Sequence, residues 1–117
     1  MLLPWMLTPT FMSQYDQVAA AVADWVADPY PAPAHGVAAQ AAACQTHDTL
    51  DRLEQIVAPT LVLVGAEDLV TPVSCAQELT EGIPGARLHV LERGGHIADA
   101  EYPEAVAKAL LAFLDPR

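Results

Sequence analysis

Basic residues are scarce in this chain, and its first half has almost none. Lys and Arg number 5 against 15 Asp and Glu, the formal net charge is −10, and no Lys or Arg precedes Arg52. A phosphate backbone is held through a basic footprint, so nucleic acid is excluded as a partner. An anionic membrane surface is excluded for the same reason. Cysteine is equally sparse: Cys44 and Cys75 are the only two in 117 residues. That is too few for a disulfide framework, and a cytoplasmic address is the expectation. Long apolar runs are missing, with no stretch near the ~20 residues that span a bilayer. The apolar start Met1-Leu2-Leu3-Pro4-Trp5-Met6-Leu7 has no positive leading region and is interrupted by Pro4 and then Pro9, so it is not expected to act as a signal peptide. Internal repeats are absent, and the Ala enrichment simply favours helix. Serine occurs only as Ser13 and Ser74.

What is present is apolar and ordered. Hydrophobic residues make up 53% of the chain, with a mean hydropathy of +0.26. The runs Thr60-Leu61-Val62-Leu63-Val64 and Arg87-Leu88-His89-Val90-Leu91 each read as a buried strand bounded by turn residues. A helix is expected over 73–82 between them, so the unit is a βαβ crossover joining parallel strands. Behind the first strand comes Gly65-Ala66-Glu67-Asp68-Leu69-Val70-Thr71-Pro72, and behind the second Gly94-Gly95-His96. Adjacent strands lie roughly 4.8 Å apart, so these loops can bring a carboxylate to an imidazole. Elsewhere the pattern predicts a helix over 13–27 with Ser13 as a cap, and a stiff break at Asp28-Pro29-Tyr30-Pro31-Ala32-Pro33. It also predicts a second helix over 36–46, a short helical turn over 51–56 and a last helix over 101–115.

Three stretches carry a family resemblance: Ala58-Pro59-Thr60-Leu61-Val62-Leu63-Val64-Gly65-Ala66-Glu67-Asp68, Ile83-Pro84-Gly85-Ala86-Arg87 and Gly94-Gly95-His96-Ile97-Ala98. With the closing helix from Tyr102-Pro103-Glu104 to Phe113-Leu114, they follow the order and spacing of the α/β-hydrolase family. The resemblance implies an α/β fold: the C-terminal portion of the hydrolase sheet, two parallel strands with helices, over 51–117. Lid-like helices would precede it over 1–50. It implies hydrolysis of an ester, lactone or related carbonyl substrate by a Ser-His-Asp mechanism, with Asp68 and His96 as the catalytic Asp and His and no cofactor. Within that branch the pattern looks like the enol-lactone hydrolases, carboxylesterases and cofactor-free haloperoxidases. The family's nucleophile sits on a G-x-S-x-G turn, and this sequence has none. Neither Ser13 nor Ser74 has flanking glycines, and Ser74 follows Asp68. The nucleophile half is therefore absent from the sequence.

Each residue also has a plainer reading. Asp68 could simply cap the turn after it, with Glu67 a weaker candidate pointing elsewhere. His96 could be a solvated loop histidine, although Gly94-Gly95 before it argues for a constrained backbone. Trp5, Phe11, Tyr15 and Trp25 are candidates for lining a substrate pocket under a lid, with Trp5, Phe11 and Trp25 taken as the substrate-binding set. Aromatics at helical spacing more often form a core of their own. His47 and Asp51 could share a helix face, but no third and fourth ligand stand at the spacing a zinc site needs, so no metal is expected. Cys44 reads as a small buried hydrophobe, and Cys75 with His96 as a minor nucleophile pair. The alternative function is a truncated, catalytically silent fragment acting through self-association or an N-terminal partner chain. A two-stranded sheet with an apolar edge favours pairing, so a homo-oligomer or heteromer is expected.

Overall fold

The computed structural model describes residues 3–115. The element order is α1 (Leu3–Met6), α2 (Pro9–Met12), α3 (Tyr15–Val26), α4 (Ala34–Thr46), a 3-10 turn (Leu50–Gln55), β1 (Leu61–Gly65), α5 (Val73–Gly82), β2 (Arg87–Leu91), α6 (Ala98–Glu101) and α7 (Pro103–Leu114). β1 and β2 pair in parallel, Leu61 opposite Arg87 and Gly65 opposite Leu91. The crossover is α5, which packs on both strands and on the 3-10 turn, while α7 packs on β2. The core is small and centred on this unit: Val64, Ala76, Ile83, Leu91 and Ala109 are buried, and Leu53 closes it from the turn below α5.

Several boundaries differ from the expectation, each for a local reason. β1 begins at Leu61 instead of Thr60, whose hydroxyl turns back to donate to Ala58 O at 2.9 Å. Ser13 does not cap α3: that N-cap is Gln14, with no side-chain bond, and the Ser13 hydroxyl closes α2 by donating to Thr10 O at 2.7 Å. Two short helices, α1 and α2, precede α3, the second started by Thr8 as N-cap with Pro9 at the first helical position. α4 begins at Ala34, directly behind its N-cap Pro33. The single last helix is two, because the residue before a proline is driven out of the helical region. Tyr102, ahead of Pro103, has φ −137° and ψ 58° and separates α6 from α7.

β2 is the larger correction. Its apolar run predicts burial on both faces, yet Arg87, His89 and Val90 are exposed and only Leu91 is buried. The sheet has two strands among the described residues, so little is at hand to cover β2. α3 and α4 likewise bury no residue, and Cys44, expected to be buried, is exposed.

Candidate functional site

The two loops leave neighbouring parallel strands at the same end, and backbone bonds join them. Ala66 N–H donates to Leu91 O at 3.1 Å and Glu67 N–H to Gly94 O at 3.0 Å. Gly94 takes a positive φ of 116°, a conformation L side chains rarely adopt, and so turns the chain back toward Asp68. Glu67 points elsewhere, its Oε1 accepting from Gly94 N–H at 3.5 Å.

Asp68 is buried and its two oxygens divide the work. Oδ1 accepts the N–H groups of Val70 at 2.8 Å and Thr71 at 2.9 Å, which fastens the turn. Oδ2 accepts the Thr71 hydroxyl at 3.0 Å and faces His96 Nδ1 at 3.1 Å. The turn-capping reading and the histidine-facing reading are both true, one on each oxygen. Burial alone would raise this carboxyl, but the Thr71 N–H, His96, the Val70 N–H and the Thr71 hydroxyl together hold it below its ordinary value of 3.8. Four donors thus keep Asp68 ionised.

An ionised carboxylate only accepts, so His96 Nδ1 carries the proton. The Thr71 hydroxyl oxygen lies 3.3 Å from the same nitrogen, and since its proton is committed to Oδ2, its lone pair faces Nδ1–H. Asp68 and Thr71 together therefore orient one tautomer. His96 is 33% exposed at its side chain, and Nε2 makes no hydrogen bond among the described residues. A neutral imidazole presented this way can take a proton from a hydroxyl or thiol placed at Nε2.

A groove of about 380 Å³ leads to this pair, lined by Val62, Leu63, Val64, Gly65, Cys75, Ala76, Leu79 and Val106, with Asp68, Thr71 and His96 among its walls. Successive strand residues point to opposite faces. A groove touching four in a row therefore follows the strand's edge, and since β2 pairs along one edge this is the other.

The remaining sequence candidates lie elsewhere. Trp5 is 60% exposed and Tyr15 80%. Phe11 and Trp25 line a separate apolar cavity of about 310 Å³ with Leu3, Leu7, Val22 and Ile97. None of Trp5, Phe11 and Trp25 lines the groove beside Asp68 and His96. Neither does Ser13 or Ser74, which border other surface hollows. Cys75 does line it, but makes no hydrogen bond to His96 among the described residues. Thr71 was missed, although a hydroxyl three residues after Asp68 is at turn spacing and could have been noticed.

Known proteins resemble this chain in sequence and fold. The alpha/beta hydrolase family model matches residues 2–109. A 2-hydroxy-6-oxononadienedioate/2-hydroxy-6-oxononatrienedioate hydrolase of Cupriavidus pinatubonensis is 39% identical over 70 residues, 60% of this chain and 24% of that protein. The crystal structure of the enol-lactonase from Burkholderia xenovorans LB400 superposes with a TM-score of 0.82 at 29% identity, over 97% of this chain and 42% of that one. A hydrolase from Pseudomonas aeruginosa PA01 gives a TM-score of 0.80 at 31% identity, over 94% and 40%. The chain thus spans about a quarter of the length of the curated relatives it matches and about 40% of these solved structures.

Proposed function

The chain belongs to the alpha/beta hydrolase family, and from that premise we propose that it supplies the Asp and His of a Ser-His-Asp hydrolase acting on an ester, lactone or related carbonyl compound. The observation that carries this reading is the 3.1 Å contact of His96 Nδ1 with a fully donated Asp68, which leaves Nε2 open to the groove side of the loop. In the reaction, Nε2 takes the proton of a serine hydroxyl while the serine oxygen bonds to the carbonyl carbon. The carbonyl π pair moves to oxygen. Collapse expels the leaving alcoholate, which takes the proton from Nε2, and water repeats the cycle on the acyl-enzyme. Asp68 stabilises the imidazolium formed in each half.

In this reading the serine comes from a segment outside these residues, because no serine lines the groove and the open edge of β1 leads to His96. Residues 1–50 serve as a lid, a role that fits α3 and α4 with no buried residue, and 51–117 as the core. Phe11 and Trp25 then contribute an apolar lid pocket and Trp5 an exposed contact. A cytoplasmic address suits two exposed, unpaired cysteines. No helix among the described residues is long and apolar enough to cross a membrane. The second reading, a silent fragment that pairs with itself or with an N-terminal partner, is favoured by the exposed β2 and by the lack of a groove serine.

Reconstitution tests the pair of readings. The purified chain alone should neither hydrolyse a p-nitrophenyl ester nor take up a fluorophosphonate. Co-expression with the part of the enol-lactonase relative that this chain does not cover should restore both, and His96→Ala should remove the turnover. A complex that forms yet stays inert would favour the silent fragment. Turnover by the chain alone, abolished in His96→Ala, would show that a nucleophile lies within these 117 residues.

A further inference from the structure

Thr8 is 1% exposed, the most deeply buried side chain described. Its partner is Glu101, 93 residues away, at the end of α6. The Glu101 carboxylate accepts the Thr8 N–H at 3.2 Å and the Thr8 hydroxyl. Through Oε1 it also accepts the Gly95 N–H at 2.8 Å. Thr8 in turn caps α2, its hydroxyl oxygen accepting from Phe11 N–H at 3.2 Å. On the other side of His96, the Ile97 N–H donates to Met6 O at 3.2 Å. The residues immediately before and after His96 are therefore both bonded into one knot with segment 3–8. Gly95 belongs to that knot by necessity. A Cβ there would stand 2.7 Å from Met6 O and 2.9 Å from Glu101 Oε1, so only glycine lets the three strands of chain approach.

We propose that Glu101 is a positioning residue that binds the His96 loop to segment 3–8 and thereby holds the His96 ring on Asp68. The proposal rests on the Asp68–His96 reading above. One carboxylate serves both partners, so segment 3–8 cannot lift away without stripping the Thr8 donors from Glu101 and the Met6 O acceptor from the Ile97 N–H. The first helices and the histidine then move as a unit. Glu101 touches neither Asp68 nor the His96 ring, and its influence passes through the backbone at Gly95 and Ile97.

The test is NMR on the full chain, following the downfield His96 Nδ1–H resonance and the exchange rates of the Gly95 and Thr8 amides. Wild type should show the Nδ1–H signal and slow exchange at both amides. Glu101→Ala should speed both by roughly tenfold or more, the scale for losing a hydrogen bond to a charged group, and erase the Nδ1–H signal. Glu101→Gln keeps an oxygen for Gly95, so it should retain the His96 signal. Its rescue separates positioning from a general need for bulk, and it keeps the proposal testable if Glu101→Ala does not fold. Thr8→Val should speed Thr8 exchange more than Gly95 exchange. A wild-type Nδ1–H signal that survives unchanged in Glu101→Ala would overturn the proposal and leave the Asp68–His96 pair standing. So would its loss in Glu101→Gln with Gly95 exchange still slow. Absence of the signal in wild type at every pH would overturn the pair itself and this proposal with it.

Discussion

Replacing Asp68 separates its two roles. In Asp68→Ala the Val70 and Thr71 N–H groups, the Thr71 hydroxyl and His96 all lose their acceptor. Leaving buried donors unpaired costs about 1–3 kcal/mol where water does not reach. Val70 and Thr71 are exposed enough to be partly rehydrated, so the total is set at about 3 kcal/mol. Asp68→Asn keeps one oxygen for the two turn N–H groups and should cost only about 1 kcal/mol. Its amide, however, places N–H groups where Oδ2 was. The Thr71 hydroxyl can rotate to accept, and His96 must do likewise, so the ring switches to the tautomer with its proton on Nε2. That tautomer cannot act as a base. The stable variant is therefore expected to be as inert in reconstitution as the unstable one. The pH dependence follows from the carboxyl being held below 3.8. A lowered folded-state pKa contributes stability above the unfolded value and loses it as pH falls through the folded value. The gap between wild type and Asp68→Asn should thus be full at neutral pH and close in acid. Urea unfolding at one fixed protein concentration, with ¹⁵N spectra of the His96 ring, measures all of this. Equal destabilisation by Asn and Ala, a gap that persists in strong acid, or an Nδ1–H tautomer in Asp68→Asn would refute the reasoning.

Other outcomes follow from the same contacts. Thr71→Val removes one donor from Oδ2 and should cost about 1 kcal/mol, with Thr71→Ser restoring most of it in the same urea assay. Leu91, only 4% exposed at the end of β2, should cost about 2–5 kcal/mol as Leu91→Ala, read from the denaturation midpoint. Sedimentation velocity at micromolar concentration should show a defined oligomer in place of a monomer, since the open β1 edge invites pairing while a charge of −10 opposes indiscriminate aggregation. A single compact monomer with a cooperative thermal transition would disprove it.

The parts of this fold that can be read from the sequence are those whose causes are local. α5 and β2 occupy the residues expected of them, Val73–Gly82 and Arg87–Leu91, because Pro72 and the Ile83-Pro84-Gly85 turn mark their limits within a few positions. Asp68 and His96 could be found for the same reason: each follows its strand by only a few residues through a glycine-containing loop. The Glu101–Thr8 knot could not, since no periodicity or turn chemistry connects residues 93 apart. The surroundings of the aromatics were not legible either. Helical spacing places Phe11 and Trp25 on a face but does not say what that face meets, and it meets an apolar cavity apart from the groove beside Asp68 and His96.

β2 shows the same limit from the other side. An apolar run states what a strand would bury, and burial depends on what else is present to cover it. His89 and Val90 lie open because the described residues supply too little cover, while β1 leaves one edge unpaired along the groove. That groove passes Val62 to Gly65 and reaches Asp68 and His96 at its end. The unpaired strand edge and His96 thus border one continuous groove. A segment paired along β1 would satisfy the backbone groups of the edge and bring its own terminal loop toward the imidazole. Oligomeric state and reconstituted activity are for this reason linked measurements. A partner that occupies the β1 edge should both compact the chain and deliver whatever His96 is to deprotonate. A partner that binds elsewhere should do neither.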